Sequence, residues 1–192
     1  MNNARVSDIR VAARADLPTL AVTLAEAFED DPVWNWMLPS FKSKQRLFAA
    51  LLRHAIPLGH VYTIPGLTAV TIWSPPNQWK LPVSAMARQA LPMLRAVGTR
   101  LPRVLGRLGE IEKLHEQVPA QHWYLDFIGT AHKERGKGVG SELLEHGLSH
   151  RLPVYLESSN PRNLSFYKRH GFQVTGEPPM KSGPPQWTLW RD

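Results

Sequence analysis

Trp123-Tyr-Leu-Asp-Phe-Ile-Gly-Thr130, Ala131-His-Lys-Glu134, Arg135-Gly-Lys-Gly-Val-Gly140, Ser141-Glu-Leu-Leu-Glu145 is the stretch on which the fold turns. Its first eight residues are aromatic and aliphatic, and they predict a strand ending at Thr130. Val139, Leu143, Leu144, Leu148 and Leu152 recur at helical spacing and predict a helix. Between the two, Gly136, Gly138 and Gly140 occupy alternate positions, with Arg135 before them and Lys137 among them. A strand feeding a glycine-rich turn that opens a helix is suited to phosphate. Bare backbone N–H groups point at the anion, and the helix dipole favours negative charge there.

Two common phosphate motifs fail on these letters. A P-loop needs Gly-Lys followed by Ser or Thr, but Gly136-Lys137 is followed by Gly138. The dinucleotide fingerprint needs a third glycine where this chain has Ser141 or Leu143, depending on the starting glycine. What remains is Arg135-x-x-Gly138-x-Gly140, which resembles the pyrophosphate loop of the GNAT superfamily of acyl-CoA-dependent N-acyltransferases. A second stretch runs Leu156-Glu-Ser-Ser-Asn160-Pro-Arg-Asn163-Leu-Ser-Phe166-Tyr167-Lys-Arg-His-Gly171-Phe172. It resembles the second signature of the same superfamily: a strand, an Asn-led helix and a Tyr…Gly-Phe ending. From Leu156 to Glu177 the wording is similar to the puromycin N-acetyltransferase-like members. Toward the amino terminus the likeness is confined to Ala27-Phe28…Asp31-Pro32 and Trp73-Ser-Pro-Pro76, so about a third of the chain carries it.

The resemblance implies acetyl-CoA as the cofactor. Arg135, Gly136, Lys137, Gly138, Val139, Gly140 and Ser141 would hold its pyrophosphate through backbone N–H groups. The strand edge around Phe127, Ile128 and Thr130 would pair with pantetheine amides as an added strand pairs with a sheet edge. Asn160 stands where the family often places a pantetheine-contacting Asn. Followed by Pro161, it reads equally as a helix N-cap. Asn163 matches the puromycin-type relatives. Two positions depart from the family's wording: Thr130 and His132 stand where a Val and a Pro are common, and His132 reads as an exposed turn residue.

The implied chemistry is attack of an amine on a thioester carbonyl, through a tetrahedral oxyanion, with loss of a thiolate. A free alkyl amine titrates near 10, so a base, directly or through water, must take its proton. The oxyanion wants preorganised donors, which a distorted strand around Ile128 would supply from its backbone. Tyr167 stands where the family places a general acid, within reach of the cofactor, and reads also as an aromatic packed on the sheet. For the base, alternation puts Tyr124 and Asp126 on one strand face, with Glu157 on the next strand. Asp126 and Glu157 rank first; His122, Asp30 and Asp31 are further candidates.

Bulk properties bound this reading. The chain has 192 residues, enough for one domain over 1–192 with a sizeable core. A formal charge of +7 and a pI near 10.0 favour an anionic partner, a phosphorylated cofactor or nucleic acid. There is no cysteine, which excludes disulfides, thiolate metal sites and a cysteine nucleophile, and no metal site is read. The first residues lack the apolar core of a signal peptide, and no apolar run is long enough to span a membrane. A cytoplasmic monomer or homodimer is expected, without membrane or nucleic-acid partners. Two rivals stand beside the enzyme that acetylates a small-molecule amine, or a protein or peptide amine. They are a nucleic-acid binder using the positive charge and a catalytically silent acyl-CoA-binding module.

In chain order, residues 5–13 read as a strand, Asp16 as the cap of a helix to Phe28, and Trp34–Met37 as a short turn or helix. Residues 47–56 read as an amphipathic helix, and Val61–Ile64 with Leu67–Trp73 as a hairpin around Pro65-Gly66. Residues 83–118 read as a helical insert covering the acceptor site, with Arg100, Arg103 and Arg107 on a basic face. Trp34, Trp36, Trp73 and Trp79 hint at an apolar acceptor pocket. Strands are expected at 153–159, 172–175 and 186–190, with a helix between the first two that ends at Gly171. The order argues for an α/β domain, a mixed and largely antiparallel central sheet with helices on both faces, which is the GNAT fold the motifs imply.

Overall fold

The computed structural model describes residues 8–80, 90, 91 and 93–192. The Val6 end of the first expected strand, and Val83, Met86 and Ala87 of the insert, lie outside the described residues.

Seven strands form one sheet in the order β1-β2-β3-β4-β5-β7-β6. They are β1 (Arg10–Val11), β2 (Val61–Thr63), β3 (Ala69–Ser74), β4 (Trp123–Thr130), β5 (Val154–Ser158), β6 (Gln173–Gly176) and β7 (Trp187–Arg191). Every pairing is antiparallel except β4 with β5, which is parallel. A parallel neighbour needs a crossover, and the helix α5 (Val139–Leu148) supplies it. The expected mixed, largely antiparallel sheet is present.

The two faces carry separate cores. On one, α1 (Leu17–Ala27), α2 (Pro32–Met37) and α3 (Phe41–Ala55) pack Leu20, Leu24, Trp34, Phe48 and Leu52 against Val70 and Ile72. Val104 of α4 (Leu101–His115) joins this core. On the other face, Leu143 and Leu144 of α5 and Tyr167 of α6 (Leu164–Arg169) pack on Trp73, Leu125, Leu156 and Leu189. Successive strand residues point to opposite faces, so β3, β4 and β5 serve both cores at once. The burial of β3 and β5 is correspondingly near-continuous.

Several local expectations shift, each for a physical reason. Asp16 does not cap α1; its carboxylate accepts from the Ala13 amide at 2.7 Å and from Arg10, bracing the turn before the helix. The third helix starts at Phe41, a turn and a half before the first apolar repeat, because a buried lysine interrupts the pattern. Lys44 reaches the Asn35 side chain at 2.5 Å and the Glu29 carbonyl at 3.3 Å. The strand after Pro65-Gly66 begins at Ala69, since Leu67, with φ 57°, still belongs to the turn. Leu152 lies beyond α5 and is exposed: Arg151 adopts φ 58°, and Pro153 disfavours a helical residue before it. Among the described residues no helix is long and apolar enough to cross a membrane.

The basic face of α4 is spent on the chain's own carbonyls. Arg100 and Arg103 both donate to the Trp36 carbonyl, at 3.3 and 3.0 Å. Arg107 is only 1% exposed and donates to the carbonyls of Ser182 and Pro184 at 2.9 and 2.8 Å. It thereby ties the loop between β6 and β7 to the insert.

Candidate active site

β4 and β5 touch only at their beginnings. Trp123 pairs with Val154 and Tyr124 with Tyr155, and from there the strands part. Beyond Tyr124, β4 is paired on its β3 side alone, and beyond Tyr155, β5 is paired on its β7 side alone. Each strand therefore offers a free backbone edge to the wedge between them. β4 is also bulged: Leu125 faces Trp73 and Phe127 faces Ile72, so Asp126 has no residue opposite it. The distortion expected around Ile128 thus lies two residues earlier. It lets Asp126 bond Ser74 while the adjacent Phe127 packs into the core of α1 to α3. Ile128 falls on the opposite face, against the α5 core.

Asp126 and Glu157 are brought to the two sides of this wedge, both half-buried. Asp126 accepts a hydrogen bond from Ser74 Oγ at 2.7 Å, and Glu157 accepts one from the Tyr124 hydroxyl at 2.6 Å. Glu157 Oε1 and the Tyr155 hydroxyl are buried beside one another and complete no full hydrogen bond among the described residues. Burial pushes both carboxyls up, to about 7 in each case, and the charge of Glu157 adds to the effect on Asp126. A carboxylate poised near 7 is matched to taking a proton at neutral pH.

The linkage to stability has a definite sign. A carboxyl near 4 when unfolded and near 7 when folded stabilises the fold below about pH 4, and that contribution is lost as pH rises through 7. Asp126→Asn removes the titration. Its melting temperature relative to the parent should therefore climb between pH 4 and 7 in thermal melts; a difference flat in pH would contradict the shift.

Beneath the carboxylates lies a buried histidine pair, His115 of α4 and His122 just before β4. Their Nε2 atoms are 2.8 Å apart, and His122 Nδ1 bonds the Pro119 carbonyl. A carbonyl only accepts, so His122 carries its proton on Nδ1 and His115 donates from Nε2. His115, 2% exposed, stacks on Trp79 and meets Tyr124 edge-on at 4.5 Å between ring centres. Burial lowers His115 to about 3 and lowers His122 as well. His122, a base candidate by sequence, is thus a buried partner of His115 and does not face the wedge. An open cleft of about 380 Å³ lies on the same side, lined by Leu114 and Gln117 and by Tyr155, Glu177 and Thr188. Thr188 is the register partner of Glu157 on β7.

At the far end of β4, the turn before α5 has the predicted form. Gly136 and Gly138 adopt φ 76° and 86°, and a Cβ built on either would meet nothing within 4 Å. The N–H groups of Gly136, Gly138, Val139, Gly140 and Ser141 have no acceptor among the described residues; the first intrahelical bond comes from Glu142 to the Gly138 carbonyl. That open cradle of donors at a helix N-terminus fits a diphosphate. Lys137 pairs with Glu134 at 3.3 Å. Arg135 bonds the Ala27 carbonyl at 3.1 Å and lies 3.6 Å from Asp30, while the His132 amide bonds Glu26 at 2.6 Å. The turn is therefore anchored on the end of α1. Thr130, half-buried, sets its Oγ1 against the Gly140 Cα, where a Cβ would lie 3.4 Å away.

On the β5 side, Asn160 accepts from the Arg162 amide at 3.1 Å and so caps the short helix preceding α6; the capping reading holds for this side chain. Asn163 is exposed and makes no cap bond. Tyr167 is 6% exposed, between Phe166 and Phe172, and its hydroxyl has no hydrogen-bond partner among the described residues. Burial raises its phenol, and the charge of Asp31 raises it further. Asp31, 5% exposed, caps α2 through the Trp34 amide and accepts from Ser159 Oγ at 2.5 Å. Asp30 instead faces Arg135. Of the four tryptophans, Trp34 and Trp73 are core residues, Trp36 packs under Arg103 and Arg107, and Trp79 covers His115.

Sequence reading missed Ser74, Tyr124 as a partner of Glu157, His115 and Ser159. The alternation of Tyr124 with Asp126 carried part of that signal; Ser74 needed the β3–β4 register, and Ser159 a contact spanning 128 positions. Among the described residues no group of three potential ligands is placed to hold a metal.

Residues 102–174 match the Acetyltransferase (GNAT) domain model. An uncharacterized N-acetyltransferase of Schizosaccharomyces pombe is 27% identical over 183 residues, covering 85% of this chain and 72% of that protein. A 5-NmdU N-acetyltransferase of Pseudomonas phage PaMx11 is 37% identical over 68 residues, which is 33% of this chain and 49% of the relative. A crystal structure of a histone acetyltransferase HPA2 and related acetyltransferase from Corynebacterium glutamicum superposes with a TM-score of 0.69. It is 24% identical, and the match covers 96% of this chain and 94% of that one. With its splayed β4 and β5 and its glycine turn the chain has the GNAT fold, residues 102–174 match the GNAT domain, and its N-acetyltransferase relatives indicate acyltransferase activity.

Proposed function

We propose that the protein moves an acetyl group from acetyl-CoA to the amine of a small molecule by direct attack in a ternary complex. The observation that carries this reading is the wedge between β4 and β5, open from Tyr124 onward, with unpaired amides at one end and Asp126 and Glu157 on its flanks. Acetyl-CoA, when bound, supplies an activated thioester. Main-chain N–H groups from Gly136 to Ser141, with Arg135 and Lys137 beside them, hold its diphosphate. The free edge of β4 at Phe127, Ile128 and Thr130 aligns the pantetheine as an extra strand, and Asn160 and Asn163 flank it from the β5 side. Glu157 takes the amine proton, with Asp126 next to it. Backbone donors at the bulge stabilise the oxyanion, and Tyr167, kept protonated by its surroundings, supplies a proton to the departing thiolate.

The size of the cleft beside Tyr155 and Thr188 supports a small acceptor, as does the likeness of Leu156–Glu177 to puromycin-type members. Thiol release in the presence of acetyl-CoA and a panel of free amines tests it. Transfer to a lysine-bearing peptide and to no free amine would replace the small-molecule reading, and binding without turnover would leave a silent module.

Two variants separate the roles. Tyr167→Phe should lower turnover roughly tenfold to a hundredfold while acetyl-CoA affinity stays unchanged; equal turnover would return Tyr167 to packing alone. Gly138→Val puts a side chain into the donor cradle at a φ of 86°. It should weaken acetyl-CoA binding by roughly tenfold or more, read as a smaller ligand-induced thermal shift. Undiminished affinity would contradict the placement of the diphosphate.

A further inference from the structure

Among the described residues Asp126 and Glu157 have no cation within ion-pair distance, although several other acids of the chain do. Asp16 pairs with Arg10, Glu112 and Glu116 with Lys80, Glu134 with Lys137 and Asp30 with Arg135. The side-chain partners of the two wedge carboxylates are neutral hydroxyls, Ser74 for Asp126, and Tyr124 with the adjacent Tyr155 for Glu157. Glu157 Oε1 and the Tyr155 hydroxyl beside it are both buried and complete no full hydrogen bond among the described residues. A chain with 23 lysines and arginines against 16 acids thus sets two half-buried carboxylates on facing strands without supplying a described counter-ion. An unpaired buried carboxylate is costly, and a cation brought beside it offsets that cost.

We propose that this charge arrives with the acceptor: the reacting nitrogen enters as an alkyl ammonium between Asp126 and Glu157, and the site rejects amines bearing a carboxylate on the adjacent carbon. The proposal rests on the reading of the wedge as the acyl-transfer site. Asp126 anchors the ammonium. Glu157 takes one proton and leaves the neutral amine that attacks; the second nitrogen proton, shed as the tetrahedral adduct collapses, balances the one Tyr167 gives the departing thiolate. A carboxylate one carbon from that nitrogen would lie within several ångströms of both acids, in a site screened less than water. At such range the repulsion corresponds to about a hundredfold or more in relative kcat/KM. The acceptor class is therefore simple alkyl amines and amino alcohols, not α-amino acids.

Matched sets test this by thiol release from acetyl-CoA. Each contains an amine, the corresponding amino alcohol and the corresponding α-amino acid, for instance phenylethylamine, phenylalaninol and phenylalanine, with an aliphatic set of leucine skeleton beside it. The amino alcohol controls for bulk. The expected result is turnover of amine and alcohol, with the amino acid about a hundredfold or more poorer in kcat/KM. Asp126→Asn should narrow that gap by about tenfold, whatever it does to the absolute rate. Amino acids used as well as their alcohols by the parent protein overturn the proposal without any variant, as does a gap that Asp126→Asn leaves untouched. Selection blind to charge in an active enzyme defeats this proposal alone. Silence toward every amine with acetyl-CoA bound defeats the transfer reading beneath it as well.

Discussion

Replacing Glu157 by Gln is expected to lower turnover roughly a hundredfold to ten-thousandfold, the range over which a positioned proton acceptor contributes. The substitution keeps the shape of the side chain and its bond from the Tyr124 hydroxyl while removing the group that titrates near 7. In the parent, turnover should rise with pH through that region as the carboxyl ionises. In Glu157→Gln this limb should vanish, and what activity remains should follow the free amine near its own value. Acetyl-CoA affinity should be unaffected. Steady-state rates across pH 5 to 9 with one saturating amine decide the matter. A variant that keeps both the rate and the pH limb would move the base to Asp126, whose carboxyl lies on the opposite side of the wedge and is raised comparably.

Gly147→Val should cost the fold on the order of 3 kcal/mol, at the upper end of what overpacking a core does, and lower the melting temperature by roughly 6–12 °C. Gly147 lies in the last turns of α5 where the helix rests on Trp73 of β3. A Cβ there would sit 2.1 Å from the indole, which is itself only 2% exposed and has no room to retreat. The consequence reaches beyond stability. α5 carries the glycine turn at its other end, so a helix lifted from Trp73 carries the five free amides away from the wedge. Acetyl-CoA affinity should fall along with the melting temperature. Thermal melts with and without acetyl-CoA measure both; a stable variant with intact affinity would show that α5 seats differently from the arrangement here.

Local letters were enough for parts of this site and not for others, and the division follows the physics. The turn from Arg135 to Gly140 is legible because positive-φ glycines and a helix start depend on neighbouring residues alone. Asn160-Pro161 is legible for the same reason. The strand around Asp126 was legible as a strand but not as a bulged one, since a bulge is defined by what lies across from it on β3. The partners of the two carboxylates come from 52 and 33 positions away, so no window of sequence contains them. Arg107 misled in the opposite direction: on a helical wheel it decorates a basic face, yet it is buried in carbonyls of a loop some 75 positions later. Lys44 hid the start of α3 by the same device, a charged side chain turned inward to satisfy the end of another helix. Trp34 and Trp73, chosen for an acceptor pocket on the strength of their rings, fill the two cores instead.

A crystal structure of the protein with acetyl-CoA tests the account most directly. The diphosphate should lie within hydrogen-bond distance of main-chain amides between Gly136 and Ser141, the pantetheine should run along the free edge of β4, and the thioester should end between Glu157 and Tyr167. A diphosphate bound anywhere else, with those amides still facing solvent, would contradict it.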